Sequence, residues 1–258
     1  MNRFHLPKAL PFAEVSPRSL HVEQSVYQTQ RRRGFHCAVF APLHYEQNYA
    51  YPLLVWLHGP GEDERQLLSI MPLISTRNYV AVGARGEPAG EPVGRGFTWT
   101  QSEAGVAWAE QGVFECLAMA QERFHIARNR VFLGGYQCGG TMAFRIGMTY
   151  PARFAGLVSL GGAFPADHTP LACLEQSRRL PLFIAHGGDS TRYPVEKTCE
   201  ELRLFHAAGM HVVLRHYPCG DTLHPRMLHD MNTWLMEQVT GVQASNSDTA
   251  VWQPVDEN

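Results

Sequence analysis

The sequence predicts an α/β fold, a doubly wound and mostly parallel sheet of about eight strands behind an N-terminal antiparallel hairpin. Three observations lead there. Apolar runs such as "PLLVWLHG" and "LPLFIAHGG" are continuous rather than alternating, as in strands covered on both faces. Segments with helical spacing separate these runs, so strand and helix alternate along the chain. At 258 residues, 45% hydrophobic and 18% charged, the chain can bury a large core.

In order, "HVEQSVYQT" (21–29) and "FHCAVFAPLHY" (35–45) form the expected hairpin, joined by "QRRRG" (30–34) as a solvated basic turn. "PLLVWLHG" is a buried strand, "ERQLLSIMPLIS" a helix and "YVAVGARG" the next strand. A long helix is expected over 103–125, with Val113, Leu117, Ala120 and Phe124 on one face. "RVFLGG" is a strand running into a helix at Thr141, followed by the strands "FAGLVSLGG" and "LPLFIAHGG". Val195, Cys199 and Leu202 mark a further helix face, ended by Gly209 as C-cap. "HVVLRHYP" is the last strand, and Pro225 opens a last helix that turns Leu228, Met231 and Leu235 inward. Residues 1–240 are expected to form one domain, and the polar, aperiodic 241–258 a loose tail.

Net charge is −2, which argues against nucleic acid as a partner. No stretch approaches the roughly 18 apolar residues of a membrane span, and "MNRFHLPKALPF" lacks the apolar core of a secretion signal. A soluble, cytoplasmic protein is expected. The six cysteines are scattered without a C-x-x-C, so reduced thiols are expected rather than a disulfide framework. His211 and His216 are five apart on a strand, and His224 and His229 are five apart beside a helix. Both pairs diverge, so no metal site is expected, and no cofactor. Trp56, Trp99, Trp108 and Trp234 read as core or pocket wall.

"VFLGGYQCGGTMAF" (131–144) carries the most chemistry. A strand, a glycine-rich turn and a helix in succession make a nucleophile elbow, which lifts a reactive side chain above a parallel sheet. Gly135-Tyr136-Gln137-Cys138-Gly139 puts glutamine at the tip. Placing Cys138 there instead would set bulky Tyr136 where the sharp turn needs a small residue, so the glycine frame assigns the tip to Gln137.

Together with "LVWLHGPG", "PLFIAHGGDSTRYPVE" and "LRHYPCGDTLHPRML", this stretch resembles the α/β-hydrolase superfamily over residues 35–240. Within that superfamily it is similar to the phospholipase/carboxylesterase group that includes acyl-protein thioesterases. The resemblance implies an α/β-hydrolase fold with a catalytic triad at Gln137, Ser190 and Asp221, and each residue departs from the family pattern of serine, acid and histidine. It also implies an oxyanion loop at Pro60 and Gly61, completed by the N–H of Cys138. Proline has no N–H to offer there. Asp189, one place before Ser190, is the other residue in reach of the acid role.

Two readings follow. One is a protein that has lost serine-hydrolase chemistry and keeps a binding role, with Gln137 and Asp221 as polar pocket residues near a helix N-terminus that favours anions. The other is a carboxylesterase or thioesterase with a displaced Cys138–His224–Asp189 triad, which needs three loops to reshape together. A small acyl or ester-like ligand fits either, and oligomeric state is open. Cys138, at the start of a helix, is expected to have a somewhat lowered pKa. A weaker third idea is redox pairing of Cys138 with Cys219, whose loops converge in the family.

Overall fold

The computed structural model describes residues 27–90, 95–165 and 173–241. The strands are β1 (Tyr27–Arg32), β2 (Phe35–Phe40), β3 (Tyr51–Leu57), β4 (Val80–Ala84), β5 (Glu87–Pro88), β6 (Phe97–Thr98), β7 (Ile126–Tyr136), β8 (Gly156–Leu160), β9 (Leu182–Gly187) and β10 (Val212–Tyr217). The helices are α1 (Gln66–Ile74), α2 (Glu103–Arg123), α3 (Cys138–Thr149), α4 (Leu174–Ser177), α5 (Val195–Ala207) and α6 (Pro225–Thr240).

Eight strands make one sheet in the order β1-β2-β4-β3-β7-β8-β9-β10. β1 and β2 pair antiparallel, as does β2 with β4, and the rest of the sheet is parallel. The expected fold class is therefore observed. β3 shows why the apolar runs are unbroken. Every residue of it is buried, with Leu53, Val55 and Leu57 in one core and Leu54 and Trp56 in the other. α2, α3 and α5 cover the first core, through Val113, Leu117, Met142, Phe144 and Phe205. α1 and α6 cover the second, through Leu67, Met71, Leu228, Met231 and Trp234.

Local chemistry sets the helix ends. Ser102 caps α2 by accepting the Gly105 N–H at 3.2 Å, with Glu103 in the first turn where negative charge is favoured. α6 begins on Pro225, and Gly241 (φ +70°) ends it in the left-handed conformation.

Four expectations need correction. The basic turn is not merely solvated, because Arg32 bridges Glu115 (2.9 Å) and Glu122 of α2 and Arg33 reaches Glu115 at 3.1 Å. The thiols are not all reduced, since Cys37 of β2 and Cys116 of α2 form a disulfide within the first core. α5 buries Thr198 and Phe205 rather than the face through Val195 and Cys199, which are exposed. The helix is rotated by about one residue relative to the expected phase. The first hairpin strand runs on to Arg32, through most of the expected turn, and the second ends at Phe40 rather than at 45; the 21–26 portion lies outside the described residues, as does the tail beyond Gly241.

Candidate functional site

The elbow stands at the C-terminal end of β7. Gln137 lies between that strand and α3 with φ +47° and ψ −114°, a backbone conformation that side chains rarely adopt. Its neighbours explain how the turn closes. A side-chain carbon at Gly135 would overlap the backbone of Gly139, and one at Gly139 would overlap the Leu57 and His58 carbonyls of the adjacent loop. Only glycines let strand, helix and loop approach this closely. The backbone makes its sharp turn at Gln137, between Gly135 and Gly139.

The Gln137 amide is hydrogen-bonded at both ends. Nε2 donates to the Tyr136 hydroxyl at 2.9 Å and to the Asp221 carbonyl at 3.1 Å, while Oε1 accepts from Arg192 Nη1 at 3.0 Å. Tyr136 also donates to the Asp221 carbonyl, at 2.8 Å. The Asp221 carboxylate faces the other way. It accepts from Ser190 Oγ at 2.5 Å and from Thr191 Oγ1 at 2.9 Å, and the Ser190 hydroxyl oxygen accepts the Tyr193 N–H at 2.9 Å. The Ser190 hydroxyl first, and the Thr191 donors with it, hold the Asp221 carboxyl below the usual aspartate range. Gln137, Ser190 and Asp221 are thus brought together on the rim of one crevice. It leaves only about 10 Å³ for water-sized contents.

His186, at the end of β9, also lines this crevice and was not singled out from the sequence. Its ring is buried and stacked on Tyr193 at 4.1 Å, and neither nitrogen has a hydrogen-bond partner among the described residues. Burial, then the proximity of His216, pushes its pKa down to about 3, so the ring is neutral.

The loop after β3 holds Pro60 and Gly61. Proline offers no donor, and the Gly61 N–H is spent on the Phe97 carbonyl at 2.8 Å. Buried His58 pins this loop. Its Nε2 accepts the Gly86 N–H at 2.9 Å, which leaves Nδ1 to donate to the Gly59 carbonyl at 2.7 Å. Gln66 Oε1 accepts the Gly59 N–H at 3.2 Å, and Trp99 Nε1 donates to the His58 carbonyl at 3.0 Å.

The residues of the displaced triad are engaged separately. Cys138 opens α3 and packs against the first core, its sulfur 3.7 Å from Thr98 Oγ1. Burial pushes this thiol up, not down as its helix position suggests. His224 caps α6, its Nδ1 accepting the Arg226 N–H at 3.1 Å. Asp189 is exposed, and its N–H donates to the Cys219 carbonyl at 3.0 Å. Cys219 packs against the second core, so it and Cys138 sit against different cores and both remain thiols.

Sequence motifs could have pointed to His58 and His186, which each precede a glycine at the end of a buried strand. Arg192 and Tyr136 carried no such signal.

A family model described as Phospholipase/Carboxylesterase matches residues 45–238. Acyl-protein thioesterase 1 of Gibberella zeae is 24% identical over 139 residues, which are 48% of this chain and 59% of that one. Acyl-protein thioesterase 1 of Cryptococcus neoformans is 26% identical over 151 residues, 50% and 63% of the respective chains. The match thus spans about three fifths of the length of these relatives. Among solved structures, a carboxylesterase from Mesorhizobium loti superposes with a TM-score of 0.67 at 19% identity, covering 82% of this chain and 99% of that one. A ferulic acid esterase superposes with a TM-score of 0.65 at 16% identity, covering 83% and 98%. These structural likenesses establish the fold alone.

Proposed function

This chain belongs to the phospholipase/carboxylesterase family, and from that premise we propose that it is a member without serine-hydrolase chemistry, whose elbow serves binding instead of acyl transfer. The observation that carries the proposal is the fully hydrogen-bonded Gln137 amide at the elbow tip. An amide has no nucleophilic atom to replace a serine hydroxyl or a cysteine thiolate.

The surroundings support the same reading. Asp221 occupies the position of the general base, but its carboxylate is already held by two hydroxyls, which makes it a poor proton acceptor near neutral pH. Pro60 and the engaged Gly61 N–H leave the oxyanion loop without a donor from either residue. Arg192 lies across the tip, so a small acyl or ester-like ligand would bind by displacing it from Gln137.

The test is labelling with a fluorophosphonate probe alongside hydrolysis of short-chain aryl esters. No labelling of the elbow and no hydrolysis above a heat-inactivated control are expected. Wild-type hydrolysis that Gln137→Ala or Asp221→Ala abolishes in a folded protein would overturn the proposal.

A further inference from the structure

The far end of β7 carries a second constellation. Between Ile126, paired with Tyr51, and Val131, paired with Leu53, β7 holds four residues where β3 holds only Pro52. Pro52 has no N–H for the ladder, and the surplus residues 127–130 bulge from the sheet. Bulges re-aim side chains, and this one carries Arg128 into a hollow of about 290 Å³. The floor of that hollow is buried Leu117 and Val131, and its rim includes Gln121 and Arg153.

Arg153 comes from a different element, the 3-10 turn Pro151–Arg153 after α3. Its guanidinium lies 4.9 Å over the ring of Phe114, which packs edge-on against Tyr150 at 5.1 Å. That stacking orients the fork before any ligand arrives. Neither Arg128 nor Arg153 has a carboxylate partner among the described residues, whereas Arg32, Arg85, Arg178 and Arg215 all do. Arg128 and Arg153 therefore line one concave space, with no carboxylate supplied to either by the described residues.

We propose that Arg128 and Arg153, with Gln121, form a binding site for a phosphate-type oxyanion at the end of the sheet opposite the elbow. A carboxylate has two oxygens and is satisfied by one fork, whereas a tetrahedral phosphate presents further oxygens to the second. The hollow is larger than a bare phosphate needs, which leaves room for the carrier of a phosphomonoester. The site is independent of whether the elbow is catalytic.

Isothermal titration calorimetry with inorganic phosphate and with phenyl phosphate, each at low and physiological salt, tests this. At least one probe should saturate a single site. Tighter binding of phenyl phosphate identifies a phosphoryl group on a carrier as the occupant, and tighter binding of phosphate identifies the free anion. Arg128→Ala and Arg153→Ala should each weaken binding by about tenfold, and Arg153→Lys should weaken it also, because an ammonium has no fork. Arg215→Ala, which removes a paired arginine elsewhere, should leave binding unchanged. If Arg153→Ala perturbs the fold through loss of its contact with Phe114, exposed Arg128 decides the matter alone. Absence of saturable binding to either probe, or Arg128→Ala binding as tightly as wild type, overturns the proposal.

Discussion

Replacing Gln137 by alanine and by glycine separates the two opposed contributions at the elbow tip. Alanine removes three side-chain hydrogen bonds, one of them to exposed Arg192, and keeps the unfavourable φ of +47°. At roughly 0.5–1.5 kcal/mol for each neutral bond, and less for the exposed one, Gln137→Ala should destabilise the fold by about 1–3 kcal/mol. Glycine loses the same bonds but adopts this φ without strain, recovering about 1–3 kcal/mol. Its greater freedom in the unfolded chain takes back about 0.5–1 kcal/mol. Gln137→Gly should therefore be more stable than Gln137→Ala by about 1 kcal/mol, within a range of about 0–2.5 kcal/mol. Urea unfolding monitored by tryptophan fluorescence measures this as a higher midpoint at unchanged slope. In thermal unfolding the gap should amount to a few degrees, at about 2–4 °C per kcal/mol for a chain of this size. An alanine variant more stable than the glycine variant would refute the claim that the elbow stores backbone strain.

Restoring chemistry should require several changes together. Gln137→Ser alone should leave aryl-ester hydrolysis at background, because among the described residues no imidazole stands beside it and the Asp221 carboxylate is turned toward Ser190 and Thr191. Adding Asp221→His and Ser190→Asp should give measurable turnover, still about 10²–10³ below a complete site because Pro60 supplies no oxyanion donor. Buried Glu64 grips Arg85 through two contacts of 2.5 and 2.6 Å, and Glu64→Gln should cost about 3–5 kcal/mol near neutral pH. Burial alone would raise the pKa of Glu64, but the Arg85 hydrogen bonds outweigh it and the net value falls below the usual range. A lowered folded pKa means stability present above the unfolded value, about 4.3, and lost as pH falls through the folded one. The gap between wild type and Glu64→Gln should thus narrow below about pH 4 in urea titrations, and a constant gap from pH 7 to 3 would contradict this. Iodoacetamide mapping at pH 7 should modify exposed Cys199 ahead of Cys138, whose thiol is pushed up by burial, and should leave Cys37 and Cys116 untouched without reductant. Faster labelling of Cys138 would indicate an activated thiol.

The sheet was legible because burial on both faces leaves a compositional trace in each strand, as in "PLLVWLHG". The elbow was legible because the glycines at 135 and 139 answer a steric demand local to the turn. What escaped were contacts that join residues far apart in the chain. Arg192 meets Gln137 across 55 positions, Arg32 meets Glu115 across 83, and Cys37 meets Cys116 across 79. No local pattern encodes such pairings. The α5 face was misread for another reason. Val195 and Cys199 are apolar enough to mimic a buried stripe, but the helix turns polar Thr198 toward the sheet. The direction of the Cys138 shift was likewise decided by packing against the core, which a helix position alone does not reveal.

The Cys37–Cys116 bond closes the backbone into a loop, and the strand order gives that loop a meaning for assembly. β3 and β4 lie wholly inside it, and with β2 they form one contiguous block of the sheet. β7, β8, β9 and β10 lie wholly outside it and form the neighbouring block. A single seam, β3 against β7, joins the covalently closed block to the open one. The loop bearing Pro60 and Gly61 belongs to the closed side, whereas Gln137, Ser190, Arg192 and Asp221 all belong to the open side. The crevice is therefore lined by the open half alone, and the Pro60–Gly61 loop faces the elbow from across that seam. Even in an unfolded chain the closed half keeps β2, β3 and β4 within reach of one another, a ready-made edge onto which the other half can zip.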